Sequence, residues 1–404
     1  MRILMVTEDL PHPCPGGLAR HVLILGQALH EAGHHVDYLG NGYQSTASMR
    51  SEITPEQIIF TQLGALPRGW KECAMGAFNP LRRSYIAHKY AKAVLSLAKD
   101  YDVVHYHGHF PNIAHFLPLH INFVQTRHDQ GGDCLIHTRF KHGQICKELS
   151  PKACAACVTP RPNLLQANIS AWAVKRFRHE VACAFRRHKT IFVSEMLRKN
   201  WRRVSKVPMR EQVIHNFLDI TKIRKIVEAS ILPSDDRYTV FIAAKLYEAK
   251  GVRALLEILN SQIPQDIRIL IAGEGNQAGE LVRKYASESV IFLGWKDYPE
   301  VLAQCAAADL VVVPSIWEEP FGLTILEALA VGRPTFALAR GGIPELERYI
   351  KYPGQLQLFE NLEQLATRIL SYRELHARTD RLDFSADVSV IMKEIIKVYQ
   401  ASQP

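Results

Sequence analysis

Short apolar runs alternate with amphipathic stretches along almost the whole chain. Arg2–Thr7 reads as a buried strand. Leu18–Ala32 follows as a helix, with Val22, Leu25, Leu29 and Ala32 on one face and Gly33 at its end. His35–Leu39, Val103–His105, Ile121–Gln125 and Thr190–Val193 read as further strands. Apolar runs unbroken by polar positions suit strands buried on both faces, and their alternation with helices predicts a parallel sheet.

The pattern restarts near Tyr238. Strands are expected at Val240–Ala244, Ile267–Ala272, Val290–Leu293, Leu310–Val313 and Thr335–Leu338. Helices Gly251–Leu259, Tyr298–Ala307 and Leu323–Val331 separate them. A last helix, Val388–Gln400, is apolar at Val390, Ile391, Ile395, Ile396 and Val398. The stretch His215–Asp219 joins the two series. The expected organisation is α/β, with two doubly wound Rossmann-like domains, 1–215 and 216–385, and the helix within 386–404 packed back on the first. Ligands of such sheets bind beyond the carboxyl ends of the strands, so the loops that follow strands are where chemistry is expected.

Three loops stand out. The first, Glu8 to Leu18, carries Gly16 and Gly17 into a helix; glycine there lets a phosphate approach backbone N–H groups. An ordinary glycine turn has the same appearance. In the second, Lys245 and Lys250 follow a strand and could neutralise a diphosphate, or simply be surface lysines. The third runs Glu319-Pro320-Phe321-Gly322-Leu323 into a helix that carries Glu327. Carboxylates so placed can accept hydrogen bonds from sugar or ribose hydroxyls.

The third stretch, Pro314 to Ala328, resembles the two-glutamate signature of retaining glycosyltransferases of the GT-B fold, family 4. Gly332-Arg333-Pro334, Gly341 to Glu345, Ile271 to Gly275, Phe292 to Trp295, Arg20-His21-Val22 and Glu31 to Val36 are similar to that family as well. The resemblance implies two lobes facing each other across a cleft. It implies that Lys245 and Lys250 bind the diphosphate and that Glu327 holds the ribose. Glu319 would hold the donor sugar, with backbone from Phe321, Gly322 and Leu323 nearby. His128 would lie beside the sugar, and Gly16, Gly17 and Gly273 near the donor. A UDP- or GDP-sugar donor and a glycan or lipid-linked acceptor follow, with no catalytic metal. Lys245 stands where the family usually has Arg, and Phe217 where it usually has Gly. Asp100-Tyr101-Asp102 precedes a strand, at the edge opposite the ligands, and reads as a solvated turn.

Composition narrows the partners. The 404 residues are 47% apolar and 22% charged, ordinary for a globular protein. The longest apolar stretches fall far short of the ~20 residues that span a membrane. Glu8 and Asp9 interrupt any leader-like start, so a cytoplasmic protein is expected. The net charge is +9, but residues 1–211 hold 28 Lys and Arg against 15 Asp and Glu, and the rest 21 against 25. A basic first half suits an anionic partner: a phosphorylated substrate, a membrane surface or nucleic acid. No nucleic-acid motif accompanies it.

Residues 171–189 read as a basic helix with Lys175, Arg176, Arg178, Arg186, Arg187 and Lys189, followed by Arg198, Lys199, Arg202, Arg203 and Lys206 around Trp201. This reads as a basic surface with an aromatic, suited to anionic headgroups on the inner face of a membrane, or as a solvated helix face. Cys134, Cys146, Cys154 and Cys157 cluster in a loop-rich insertion, 131–160. They are candidate ligands of a structural zinc ion, with an iron–sulfur cluster, disulfides and free thiols as alternatives.

Overall fold

The computed structural model describes residues 1–10, 17–42, 46–63, 80–158, 163–203, 210–230, 237–259, 262–374 and 384–401. The chain divides into two compact units. Residues 1–139, 146–217 and 388–404 form the first; residues 140–145 and 218–387 form the second.

The first unit is built on strands β1 (Arg2–Val6), β2 (His35–Leu39), β3 (Ile59–Phe60), β4 (Val103–His107) and β5 (Phe123–Arg127). A short antiparallel hairpin follows, β6 (Phe140–Lys141) and β7 (Gln144–Ile145), which belongs with the second unit. Strands β8 (Lys189–Phe192) and β9 (Glu211–Val213) return to the first sheet. Its order is β3-β2-β1-β4-β5-β8-β9, and every pairing is parallel. Ile3 pairs with Val36 on one side and Val103 on the other. The central strands are apolar on both faces because helices cover both.

On one face, helix Gly17–Glu31 packs with Val388–Gln400. Val22, Leu25 and Leu29 share a core there with Ile391, Met392, Ile395 and Tyr399. The C-terminal helix is therefore part of the first unit. On the other face, helix Pro80–Ala98 buries Ala87, Tyr90, Ala91 and Val94 against Leu4, Val6, Val104 and Tyr106. Helix Leu164–Arg187 lies on the same side and contributes Ala184.

The second unit uses β10 (Tyr238–Ala243), β11 (Ile267–Ala272), β12 (Val290–Gly294), β13 (Leu310–Val313), β14 (Thr335–Leu338) and β15 (Leu356–Phe359). The order is β12-β11-β10-β13-β14-β15, again all parallel. Each sheet reverses direction of growth once, at β1/β4 and at β10/β13. Those switch points are where open α/β sheets hold ligands.

The helix expected over 171–189 starts at Leu164. Asn163 caps it: its Oδ1 accepts from the Gln166 N–H at 2.8 Å, and Gln166 returns a bond to the Asn163 N–H at 3.2 Å. The expected basic surface is redrawn as well. Arg178 donates to the Leu149 carbonyl at 2.6 Å and the Asp133 carbonyl at 3.0 Å, and Arg187 donates to the His115 carbonyl at 2.9 Å. Lys189 is buried and bonds Asn122 at 3.0 Å. Trp201 is fully buried between Phe185, Phe192 and the Arg127 guanidinium, and its Nε1 donates to the Asp129 carbonyl. On the helix Leu164–Arg187, Trp172 is exposed, in line with exposed Leu165 and Ile169 and beside Leu164.

Candidate active site

In the second unit, the loops after β10 and β13 lock together at the carboxyl edge. The Ile316 N–H donates to the Ala249 carbonyl at 3.0 Å. Gly251 ends the turn Glu248–Lys250 with φ +71°, and a Cβ there would stand 2.0 Å from the Pro314 carbonyl oxygen. Only glycine allows the two backbones this near.

That closeness delivers Lys250 to Glu319. Lys250 Nζ lies 2.5 Å from Glu319 Oε1, and the buried Ser315 hydroxyl donates to the same oxygen at 2.6 Å. The Trp317 ring lies 5.1 Å from Lys250 Nζ, within cation–π reach. Burial pushes the Glu319 carboxyl up, but the Lys250 charge and the hydrogen bonds from Lys250 and Ser315 outweigh it and hold the group below its ordinary value. Glu319 is a buried, fixed carboxylate. Its backbone is fixed too: its carbonyl accepts from the Gly342 N–H at 2.7 Å.

Gly322 is the N-cap of helix Leu323–Ala330, with Phe321 buried before it. Glu327 is buried on that helix rather than solvated on its surface. Lys245 is exposed directly beyond β10, and Gly273 directly follows β11. Six of the residues singled out in this unit, Lys245, Lys250, Gly273, Glu319, Phe321 and Gly322, thus stand on loops after its strands.

In the first unit, Gly17 is exposed at the start of its helix, and Gly16 lies outside the described residues. His128 follows β5 and belongs to a histidine group. Its Nε2 lies 3.1 Å from His107 Nδ1, and its ring stands edge-on to His21, centroids 4.6 Å apart. Burial, then His21 and Arg127, hold His128 well below the usual histidine range. His105, behind them, is tied to the Tyr399 hydroxyl at 2.7 Å and the Thr126 hydroxyl at 2.8 Å. Asp129, next in the chain, binds His109 Nδ1 at 2.6 Å and lies 3.0 Å from His137 Nδ1.

Among the described residues, ligand atoms of three or more His, Cys, Asp or Glu converge within 4.8 Å at two places: His21 with His107 and His128, and His109 with Asp129 and His137. The cysteines are in neither. Cys134, Cys146, Cys154 and Cys157 are free thiols. The insertion is tied down by Arg178, by the buried Arg139–Asp133 pair, and by helix Pro151–Val158 against Leu164–Arg187.

Ser315, Trp317 and the grouping of His128 with His21 and His107 escaped the sequence reading. Ser315 and Trp317 lie within the stretch that carries the family resemblance. The alternation His105-x-His107-x-His109, running off the end of a strand, was the signal for the histidines.

The sequence model of Glycosyltransferase Family 4 matches residues 15–222, just over half of the chain. The chain belongs to that family. A second model, Glycosyl transferases group 1, matches residues 237–373. The chain is thus a glycosyltransferase of the GT-B type. Glycogen synthase of Mycobacterium tuberculosis is 26% identical over 372 residues, covering 85% of this chain and 80% of that protein. An uncharacterized glycosyltransferase of Methanocaldococcus jannaschii, MJ1607, is 24% identical over 423 residues, covering 99% and 98%. Anabaena HepE, in a crystal structure in complex with UDP and glucose, superposes over both full lengths with a TM-score of 0.62 at 18% identity.

Proposed function

We propose that this family 4 glycosyltransferase moves a sugar from a nucleoside diphosphate, UDP or GDP, onto a glycan or lipid-linked acceptor of a cell-surface polysaccharide, with retention at the anomeric carbon. The observation that carries the reading is the Lys250–Glu319–Ser315 arrangement beside the N-cap Gly322.

Retention puts the incoming hydroxyl on the face the diphosphate leaves. The departing phosphate oxygen can then take the hydroxyl proton, so no strong protein base is needed. The protein's task is to stabilise charge on the leaving group and to hold the sugar. Lys245 and Lys250 supply the cations. Glu319, held ionised, accepts from the sugar hydroxyls, with backbone of Phe321, Gly322 and Leu323 beside it. Glu327 accepts from the ribose. His128, held neutral, offers a hydrogen bond to the sugar without adding charge. The fold shared with HepE, whose structure holds UDP and glucose, supports a UDP-sugar. Exposed Leu164, Leu165, Ile169 and Trp172 beside Lys175 and Arg176 support contact with an anionic membrane surface, where a lipid-linked acceptor would reside.

The test is nucleoside diphosphate release from UDP-, GDP-, ADP- and TDP-sugars, with and without lipid-linked acceptors. Release from one donor, lost in Glu319→Ala, is expected. No release and no thermal stabilisation by any free nucleotide would reject the reading.

A further inference from the structure

Two histidine groups occupy the carboxyl edge of the first sheet, and they differ in one respect. The Asp129 group has a carboxylate at its centre, although His109 Nε2 and the His137 ring nitrogens lack hydrogen-bond partners there. Asp129 Oδ2 accepts from His109, Oδ1 accepts from the Gly131 N–H at 2.7 Å, and Arg127 lies 3.5 Å away. The other group is made of histidines alone. His21 is buried, yet both of its ring nitrogens lack a hydrogen-bond partner, and so does His107 Nε2. A neutral imidazole always carries one N–H and one lone pair, so a buried ring with neither engaged is a deficit that native structures rarely leave.

We propose that His21, His107 and His128 form a site for a divalent transition metal ion, zinc foremost, and that metal bound there inhibits sugar transfer. The second half rests on the role given to His128 above.

Three rigid elements supply the ligands: helix Gly17–Glu31, the end of β4 and the first residue after β5. Their ligand atoms already converge within 4.8 Å. The 3.1 Å between His107 Nδ1 and His128 Nε2 is near the ~3.3 Å that separates two nitrogens on a tetrahedral zinc with Zn–N bonds of ~2.0–2.1 Å. His21 and His107 are buried and His128 is half-buried, so the three rings face one another away from bulk water. His105 makes two hydrogen bonds and is no ligand. It packs against His107 with centroids 4.0 Å apart and limits that ring's rotation. Three imidazoles leave a fourth position for water. An ion there occupies the His128 nitrogen and sets a positive charge where the donor sugar needs a neutral donor.

The test uses the full chain stripped of metal by a chelator. Crystals equilibrated with one equivalent of zinc, measured across the zinc absorption edge, should show anomalous density within bonding reach of the three imidazoles. Density only at the cysteines, only at Asp129, or nowhere overturns the site, and this arm needs no variant. In solution, Co2+ should give visible d–d bands without the charge-transfer band of thiolate ligation. Even outer partners of a metal site are each worth about 10- to 100-fold in affinity, so His21→Ala, losing a direct ligand, should bind at least about 100-fold more weakly. Unchanged affinity in His21→Ala overturns the site. Zinc should slow nucleoside diphosphate release at least about tenfold, reversibly on chelation, whereas His21→Ala should change little from its own metal-free rate. Zinc located at the three histidines with release unaffected overturns the inhibitory half. Absence of release even without metal rejects the transferase reading instead, and the anomalous density still decides the site.

Discussion

Lys250 and Glu319, 69 residues apart, are joined by a 2.5 Å hydrogen-bonded ion pair across two loops of one sheet edge. The carboxylate is buried and the ammonium partly exposed. The pair concentrates a cation and a fixed anion on the side of the sheet where ligands bind.

Lys250→Met should therefore cost more than a surface substitution. It leaves Glu319 buried without its cation, though Ser315 still donates to it, and about 1–3 kcal/mol of stability should be lost. Release of nucleoside diphosphate should fall about 100-fold or more if Lys250 stabilises the leaving group. Urea unfolding and a release assay check the two effects separately.

The same pair predicts a pH dependence. The folded-state carboxyl of Glu319 lies below the ordinary value of 4.5, so on acidification the unfolded chain takes the proton first. The stability this group contributes is complete above that value and is lost as pH falls through the folded one. The stability gap between wild type and Lys250→Met should stay level from about pH 8 to about pH 6 and close below 4.5. A gap that widens in acid would contradict the arrangement.

Gly341→Ala should disturb Glu319 without touching its side chain. The residue has φ +63°, and a Cβ would stand 2.3 Å from the Glu319 carbonyl oxygen and 2.4 Å from its nitrogen. Strain and displacement together should cost about 1–3 kcal/mol. Turnover should drop further than stability alone explains, which kinetics at a temperature well below the melting point can resolve.

His21→Leu should stabilise the chain in acid when metal is absent. Burial lowers the His21 pKa to about 3 from 6.5, so between these values the unfolded chain binds a proton that the folded one refuses. Wild-type stability falls there by up to about 1.4 kcal/mol per pH unit for this group. The advantage of His21→Leu should be smallest above pH 6.5 and grow toward pH 5, as followed by denaturant unfolding in EDTA.

Trp172→Ser with Leu165→Ser should abolish sedimentation with anionic liposomes at low salt. Both side chains are exposed, at 54% and 69%, so folding stability should change by no more than about 0.5 kcal/mol. Equal sedimentation of variant and wild type would remove the membrane reading.

The sheets and the loops that follow their strands were legible because their cues are local. Leu310–Val313 is a run of four apolar residues and is a strand with those bounds. Gly33 ends its helix with φ +85°, as a glycine after a periodic stretch should. The helix Val388–Gln400 was readable from its apolar spacing. Glu319, Lys250 and Gly322 were readable as candidates because each follows a strand or opens a helix.

What failed to show were the partnerships. Trp201 among five basic residues looks like a surface aromatic, but the fold buries it under Arg127. Arg178, Arg187 and Lys189 look like solvated charge, but backbone carbonyls or a side-chain amide far along the chain claim them. Nor do Arg178 and the Arg139–Asp133 pair stand out in the sequence, though they tie down the cysteine-rich insertion.

By itself, the sequence determined the two parallel-sheet units, their order, and which loops carry cations, carboxylates and glycines. These follow from hydrophobic period and turn chemistry, which act over a few residues. The tertiary structure alone decided that Lys250 meets Glu319, that Trp172 rather than Trp201 faces water, and that His21, His107 and His128 share one buried space. Each of these depends on which strands lie side by side in the sheet, and on which face a helix lies. Parallel pairing joins β4 to β1 and β5 across long stretches of chain, so side chains far apart in sequence become neighbours only when the sheet forms.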